Sequence, residues 1–272
     1  MRINTNINSM RTQEYMRQNQ EKMSTSMNRL SSGKAINSAA DDAAGLAIAT
    51  RMRANEGGLN VASRNSQDGK SMIQTADSAL QTVSNILLRM RDLAVQSANG
   101  TNSGTDRAAL QKEFTALTDQ IDYISSNTKF NGTDLMSKTA TVSIKSTDAS
   151  GATTIDVNLK QITATSLAVD NAKAKIDSNS AADAAISNID AAINSIADHR
   201  ATLGATLNRL DYNIENLNSQ STAMASSASQ IEDADMAKEM SEMTKFKILS
   251  EAGVSMLSQA NQTPQMVSKL LQ

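Results

Sequence analysis

Ile186, Ile189, Ile193, Ile196, Leu203, Leu207, Leu210, Ile214 and Leu217 recur in alternating steps of three and four, with one step missing at Arg200. This is the heptad rhythm of a helix that buries one face along another helix, and no proline interrupts it. It predicts a helix over roughly 171–229, about 85 Å long at ~1.5 Å per residue. A second seam, Ile73, Ala76, Leu80, Val83, Leu87, Met90 and Ala94, predicts a long helix ending near Ser97. Asn37 to Asp42 supply its capping region, with acidic groups at the positive end of the helix dipole. Gly57, Gly58 and Gly69 weaken the first half of this helix by about 1 kcal/mol each relative to alanine. A third helix restarts at a Ser103 cap with Asp106 three residues on, and Leu110, Phe114, Leu117, Ile121 and Ile124 form its seam. Asn127 to Gly132 close it, giving an antiparallel hairpin with the helix before it.

The period changes in 139–160. Val142 and Ile144 alternate with polar residues, as do Ile155, Val157 and Leu159, around a polar loop from Ser146 to Gly151. That pattern predicts one small β-hairpin.

Both chain ends are softer. Around 4–32, Ile3, Ile7 and Met10 share one face and Met23, Met27 and Leu30 another, among Gln, Asn, Ser and Thr. Around 231–271 the chain is Met-rich, with Met236, Met240, Met243, Met256 and Met266; its apolar positions drift between phases, and Gly253 interrupts it. Neither segment buries enough alone to offset its ordering entropy, so each needs a partner. The ends satisfy each other if the middle is antiparallel and returns the chain to its start. The expected fold is mainly α: a long-helix antiparallel bundle with a terminal coiled coil and one small β-hairpin. The expected domains are 1–41 and 231–272 as the two halves of an inner coiled coil, and 42–230 as the bundle with its hairpin near 139–160.

Composition supports narrow helix–helix seams. Aromatic residues are 2% of the 272 and Trp is absent, so Ala, Leu, Ile, Val and Met must fill the interior. The single proline, Pro264, lies eight residues from the end, leaving the rest free for long helices. A net charge of −2 points to neither nucleic acid nor an anionic membrane, and no run is apolar enough to insert in one. Cysteine is absent, so disulfides and thiolate metal sites are excluded. The first nine residues have no continuous apolar core, so no secretory signal peptide is expected. His199 is the sole histidine and sits beside Arg200 on the long helix, a seam-edge position rather than a catalytic one. No catalytic, cofactor or metal site is expected. The methionine-rich faces at the two ends read instead as adaptable surfaces for self-association or for a chaperone. Arg89, Arg91 and Asp92 read as a solvated face beside Leu87 and Met90.

Several stretches together resemble bacterial flagellin. They are Met1-Arg2-Ile3-Asn4-Thr5-Asn6, the run from Arg29-Leu30-Ser31-Ser32-Gly33-Lys34 through Asp41-Asp42-Ala43-Ala44-Gly45 to Ile48, Lys129-Phe130-Asn131-Gly132, and Ala260-Asn261-Gln262-Thr263-Pro264-Gln265 with Leu270-Leu271. The resemblance implies an extracellular filament subunit of two domains, not an enzyme, that needs no cofactor. Its terminal helices (Ile3, Ile7, Met10, Met23, Met27, Leu30, Met240, Met243, Met256, Leu257, Leu270 and Leu271) would fold on polymerisation and line the export channel. It further implies type III export, a flagellar export chaperone, and contacts with filament cap and hook-junction proteins. Host receptors are implied too. Leu88 to Gln96 with Glu113 resemble the stretch read by Toll-like receptor 5, with Arg89, Leu93 and Glu113 at the matching positions. Arg89 and Leu93, four apart, are expected on one exposed face. A hook–filament junction protein, a coiled-coil signalling rod and an enzyme are the rival readings.

Overall fold

The computed structural model describes residues 6–147 and 154–270, the last eight of these by their backbone alone. Five helices dominate: α1 (Ile7–Ser32), α2 (Ala43–Ala98), α3 (Gly104–Asn127), α4 (Asn179–Glu232) and α5 (Met236–Leu270). Strands β1 (Lys129–Phe130) with β2 (Thr133–Asp134), and β3 (Ala140–Lys145) with β4 (Thr154–Leu159), form two antiparallel hairpins. Packing divides the chain into two compact units, residues 1–56 with 222–272, and residues 57–221. α2 and α4 contribute to both.

In the 57–221 unit, α2 and α4 run antiparallel. Polar pairs at the seam edge set the register: Asn60 with Ser221, Ser63 with Asn218, Lys70 with Asp211, Asp77 with Arg200, and Arg91 with Asp190, all within 2.6–3.1 Å. The expected α2 seam from Ile73 to Ala94 is buried at every position. On α4 the fully buried row is Ala182, Ile189, Ile196, Leu203, Leu210 and Leu217, seven apart. Ile186, Ile193, Leu207 and Ile214 are half-buried beside it. The step missing at Arg200 is filled by its ion pair to Asp77. Of the six aromatic side chains only Phe114 on α3 is fully buried, so each buried Leu or Ile, worth roughly 1.5–3 kcal/mol, carries the core.

The caps stand where expected at two helices. Asp42 Oδ1 accepts the Ala44 and Gly45 amides at 3.0 Å each, and Asp41 accepts those of Asn37 and Ser38. Ser103 and Asp106 form a reciprocal capping box at α3. The α3 exit differs. Asn131 (φ 47) and Gly132 (φ 79) both take positive φ, which makes the two-residue turn of the β1–β2 hairpin rather than a simple helix stop. α4 begins at Asn179, eight residues later than expected. Before it, Ala174 and Ile176 are buried two apart, and the Ile176 amide donates to Gln111 Oε1 at 2.7 Å. Tertiary contacts there hold an extended segment that alanine-rich composition alone favours as helix.

The β3–β4 hairpin pairs Val142 with Val157 and Ile144 with Ile155, and its loop at 148–153 lies outside the described residues. It meets α2 at Gly69. A Cβ built there comes within 2.1 Å of Ile144 Cδ1 and 3.0 Å of Cγ1. The expected weakening by Gly69 therefore has a packing reason. In this unit Gly69→Ala should cost about 1–2 kcal/mol by overpacking, although alanine is the better helix former. Ile144→Val, which deletes Cδ1, should recover part of that loss in the double variant. Urea denaturation followed by circular dichroism measures both; a stabilised Gly69→Ala single variant contradicts the packing.

Candidate functional site

In the unit of 1–56 and 222–272, α1 and α5 pack along each other. On α1 the covered stripe is Ser9, Thr12, Met16, Asn19, Met23, Ser26 and Leu30; on α5 it is Glu239, Met243, Phe246, Ser250, Gly253, Leu257 and Ala260. Both stripes keep the three–four rhythm of a coiled-coil seam, but small and polar side chains occupy most of it. Polar contacts pin the ends: Asn6 Nδ2 donates to the Ala260 carbonyl at 2.8 Å, Ser9 Oγ bonds Asn261 at 3.0 Å, and Arg29 pairs with Glu239 at 3.3 Å. Gly253 does not interrupt α5, which continues to Leu270; a Cβ there would meet Met16 only at ordinary contact distance, 3.7 Å.

This seam divides the sequence-predicted residues. Met23, Leu30, Met243 and Leu257 lie in it. Ile7, Met10, Met27, Met240 and Met256 point outward and are exposed. The faces read from Ile3, Ile7 and Met10 and from Met23, Met27 and Leu30 are corrected at Ile7, Met10 and Met27: the inward stripe runs through Ser9, Met23, Ser26 and Leu30. Ile3 and Leu271 lie outside the described residues, as does the Leu270 side chain. Sequence reasoning missed Met16, Phe246 and the polar half of the seam. The available signal was the uncharged stripe at heptad spacing on α1, which a count of apolar residues alone passes over.

A knot ties this unit together, also unseen in the sequence. Gly33, at φ 72, caps α1 in the left-handed conformation. Lys34 then pairs with Asp233 as an isolated β-bridge, the Ala234 amide donates to the Gly33 carbonyl at 2.9 Å, and the Ala35 amide donates to the Glu232 carbonyl at 2.7 Å. The Glu232 carboxylate takes Lys34 on one oxygen and Arg53 on the other at 2.7 Å. Its side chain is 7% exposed, covered by these two half-exposed cations rather than by deep burial.

In the other unit, Arg89 donates through Nε and Nη2 to Glu113 Oε1 at 2.9 and 2.7 Å, joining α2 to α3 at the surface. Leu93 is 1% exposed, which corrects the expectation of a shared Arg89–Leu93 surface. At ~100° per residue, Leu93 lies about 60° from the buried Met90 and Arg89 about 100°, and the edge of the buried face falls between them. The exposed apolar neighbours on this helix are Leu88 and Val95. His199 is half-buried, and burial followed by the charge of Lys160 lowers its pKa, favouring the neutral ring. Among the described residues no group of three His, Cys, Asp or Glu side chains is placed to hold a metal, and no helix is long and apolar enough to cross a membrane.

The family model for the bacterial flagellin N-terminal helical region matches residues 3–141, and that for the C-terminal helical region matches residues 186–271. A flagellin of Listeria monocytogenes is 49% identical over 285 residues, covering 100% of this chain and 99% of its own. One of Bacillus subtilis is 42% identical over 303 residues, with full coverage of both. The crystal structure of Bacillus cereus flagellin is 44% identical with a TM-score of 0.50, covering 61% of this chain and 94% of that one. A putative flagellar hook-associated protein of Vibrio parahaemolyticus, 16% identical with a TM-score of 0.59, shares the fold over 71% of this chain and 100% of its own.

The knot predicts a pH dependence. Lys34 first, then Arg53, holds the Glu232 carboxyl below its ordinary value of 4.5. A depressed folded-state pKa contributes stability that is complete above the unfolded value and is lost as pH falls through the folded one. Glu232→Gln should therefore cost about 1–2 kcal/mol at neutral pH, between an exposed and a fully buried pair, and should flatten the acid limb of stability below about pH 4.5. Urea titrations from neutral pH into the acid limb test this, and identical pH slopes for wild type and variant count against the knot.

Proposed function

The chain belongs to the bacterial flagellin family and is a structural subunit of the flagellar filament, and we propose that α1 and α5 carry its assembly. In this reading residues 1–41 and 231–272 form the inner coiled coil that lines the export channel, and 42–230 the outer bundle. The observation that carries it is the division of the α1–α5 helices. Their mutual seam is small and largely polar, while Ile7, Met10, Met27, Met240 and Met256 remain uncovered on the outer faces. A seam of that kind is marginal in a single copy. Burial of the outer faces against further copies supplies the missing apolar area, so polymerisation and ordering of the ends are coupled. Contacts that repeat head to tail without closing build an open helical polymer. Ends that order only on assembly also suit passage of the subunit through a narrow type III export channel to the cell exterior. An export chaperone shielding the same apolar faces, and the cap and hook-junction proteins at the two filament ends, complete the set of partners.

Removing residues 1–30 or 240–272 takes away one side of the α1–α5 seam. Either truncation should fail to extend filament seeds while residues 57–221 keep their helical signal by circular dichroism. Filaments of either truncated protein in electron micrographs would falsify this assignment.

The second surface of the reading is the Toll-like receptor 5 patch, with Arg89 and Glu113 presenting an exposed ion pair and Leu93 supporting it from the core. Arg89→Ala and Glu113→Ala should each weaken reporter-cell signalling by monomer at unchanged thermal stability. Leu93→Ala should lower the melting temperature, as a buried leucine truncation costing about 2–5 kcal/mol does. Undiminished signalling from both charge variants refutes the patch.

A further inference from the structure

Methionine is distributed unevenly between the two units. Every methionine of residues 57–221, Met72, Met90 and Met136, is buried. Among the described side chains the exposed methionines are five, Met10 (61%), Met27 (54%), Met236 (48%), Met240 (49%) and Met256 (63%), and all lie on α1 and α5. The chain has no cysteine and no tryptophan. A two-electron oxidant such as hydrogen peroxide therefore meets thioethers as its first reactive side chains, and the reachable ones lie on the faces left uncovered by the α1–α5 seam.

We propose that these five methionines are a reversible sulfoxidation site that blocks self-assembly. The proposal rests on the filament reading, in which the same faces are buried against further copies. The sulfur lone pair attacks the peroxide O–O bond; an S–O bond forms, the O–O bond breaks and the second oxygen leaves as water. Sulfur is oxidised by two electrons and peroxide is reduced. The product is a polar sulfinyl group where an apolar side chain has to enter a protein contact, and burying it without a hydrogen-bond partner opposes association. A thiol-dependent methionine sulfoxide reductase reverses the step: two thiols become a disulfide and the oxygen leaves as water. The fold of the 57–221 unit survives, because its three methionines, Met72, Met90 and Met136, are sealed in the core.

The test treats full-length monomer with hydrogen peroxide and maps sulfoxides by peptide mass spectrometry against time. In parallel, helicity and elongation of filament seeds are measured. The five exposed methionines should oxidise first, with helicity kept and elongation slowed by at least about tenfold, the equivalent of ~1.4 kcal/mol for the addition step as a whole. Treatment with reductase and thiol should restore elongation. A variant with all five replaced by leucine, or the Met10→Leu/Met27→Leu and Met240→Leu/Met256→Leu pairs if the full variant assembles poorly, should resist peroxide in proportion to the sites removed. The proposal is overturned if Met72, Met90 and Met136 oxidise as fast as the exposed set. Unchanged elongation after full oxidation of the five, or leucine variants as sensitive as wild type, also overturns it. Untreated protein that does not extend seeds refutes the filament reading itself, an outcome separate from these because it precedes any oxidation.

Discussion

Everything in the 57–221 unit depends on how closely α2 and α4 approach. With Phe114 the one fully buried aromatic, there is no bulky ring to bridge a wide gap. The interior closes only if rows of Ala, Ile, Leu and Val interlock along the full contact, and that requires a fixed register. Apolar rows seven apart tolerate a slip of one heptad, since each step looks like the next. The edge pairs remove that freedom. Asp77 with Arg200, Lys70 with Asp211 and Arg91 with Asp190 match only in one alignment. Exposed pairs of this sort add little stability, so their contribution is to registry rather than to free energy. The hairpin and α3 then dock on a face whose position is already set, with Gly69 giving Ile144 room to approach.

The unit holding the chain ends follows the opposite strategy. Its seam is thin in apolar groups, and hydrogen bonds and ion pairs join its two halves: the Lys34–Asp233 bridge, the Glu232 carboxylate between Lys34 and Arg53, and Asn6 against the Ala260 carbonyl. Such contacts select geometry well but stabilise modestly. The largest uncovered apolar side chains of α1 and α5 face away from it. A subunit built this way holds its ends in one pairing and keeps those side chains uncovered within a single copy.

The legible parts of the sequence are those where apolar pattern and burial coincide. The α2 seam from Ile73 to Ala94, the Ser103–Asp106 cap and the alternation of β3 and β4 follow from local spacing alone. The start of α4 does not, because the Gln111 side chain and the Ser97 hydroxyl hold Ile176 in an extended segment that no local signal marks. The hairpin turn at Asn131-Gly132 was readable in principle, since both residues favour positive φ, but it also fits a helix stop. For the candidate site, the terminal segments were recognisable as soft helices that pack on each other. Their inward face was not, because Ser9 and Ser26 are buried where methionine and isoleucine are exposed. Apolar residues mark what a helix will bury eventually, and in a chain made to polymerise that partner need not be within the same copy. Leu93 shows the related limit in the bundle, since a helix touching two neighbours buries a wider arc than one seam.

The central claim is that α1 and α5 gain their full stability from other copies while the α2–α4 core of residues 57–221 is complete in one. Amide hydrogen exchange of monomer and filament under the same conditions measures this residue by residue. The account predicts a large rise in protection along α1 and α5 on polymerisation and little change at the buried α2 and α4 positions. Protection of α1 and α5 that is already as high in the monomer as in the filament would contradict it.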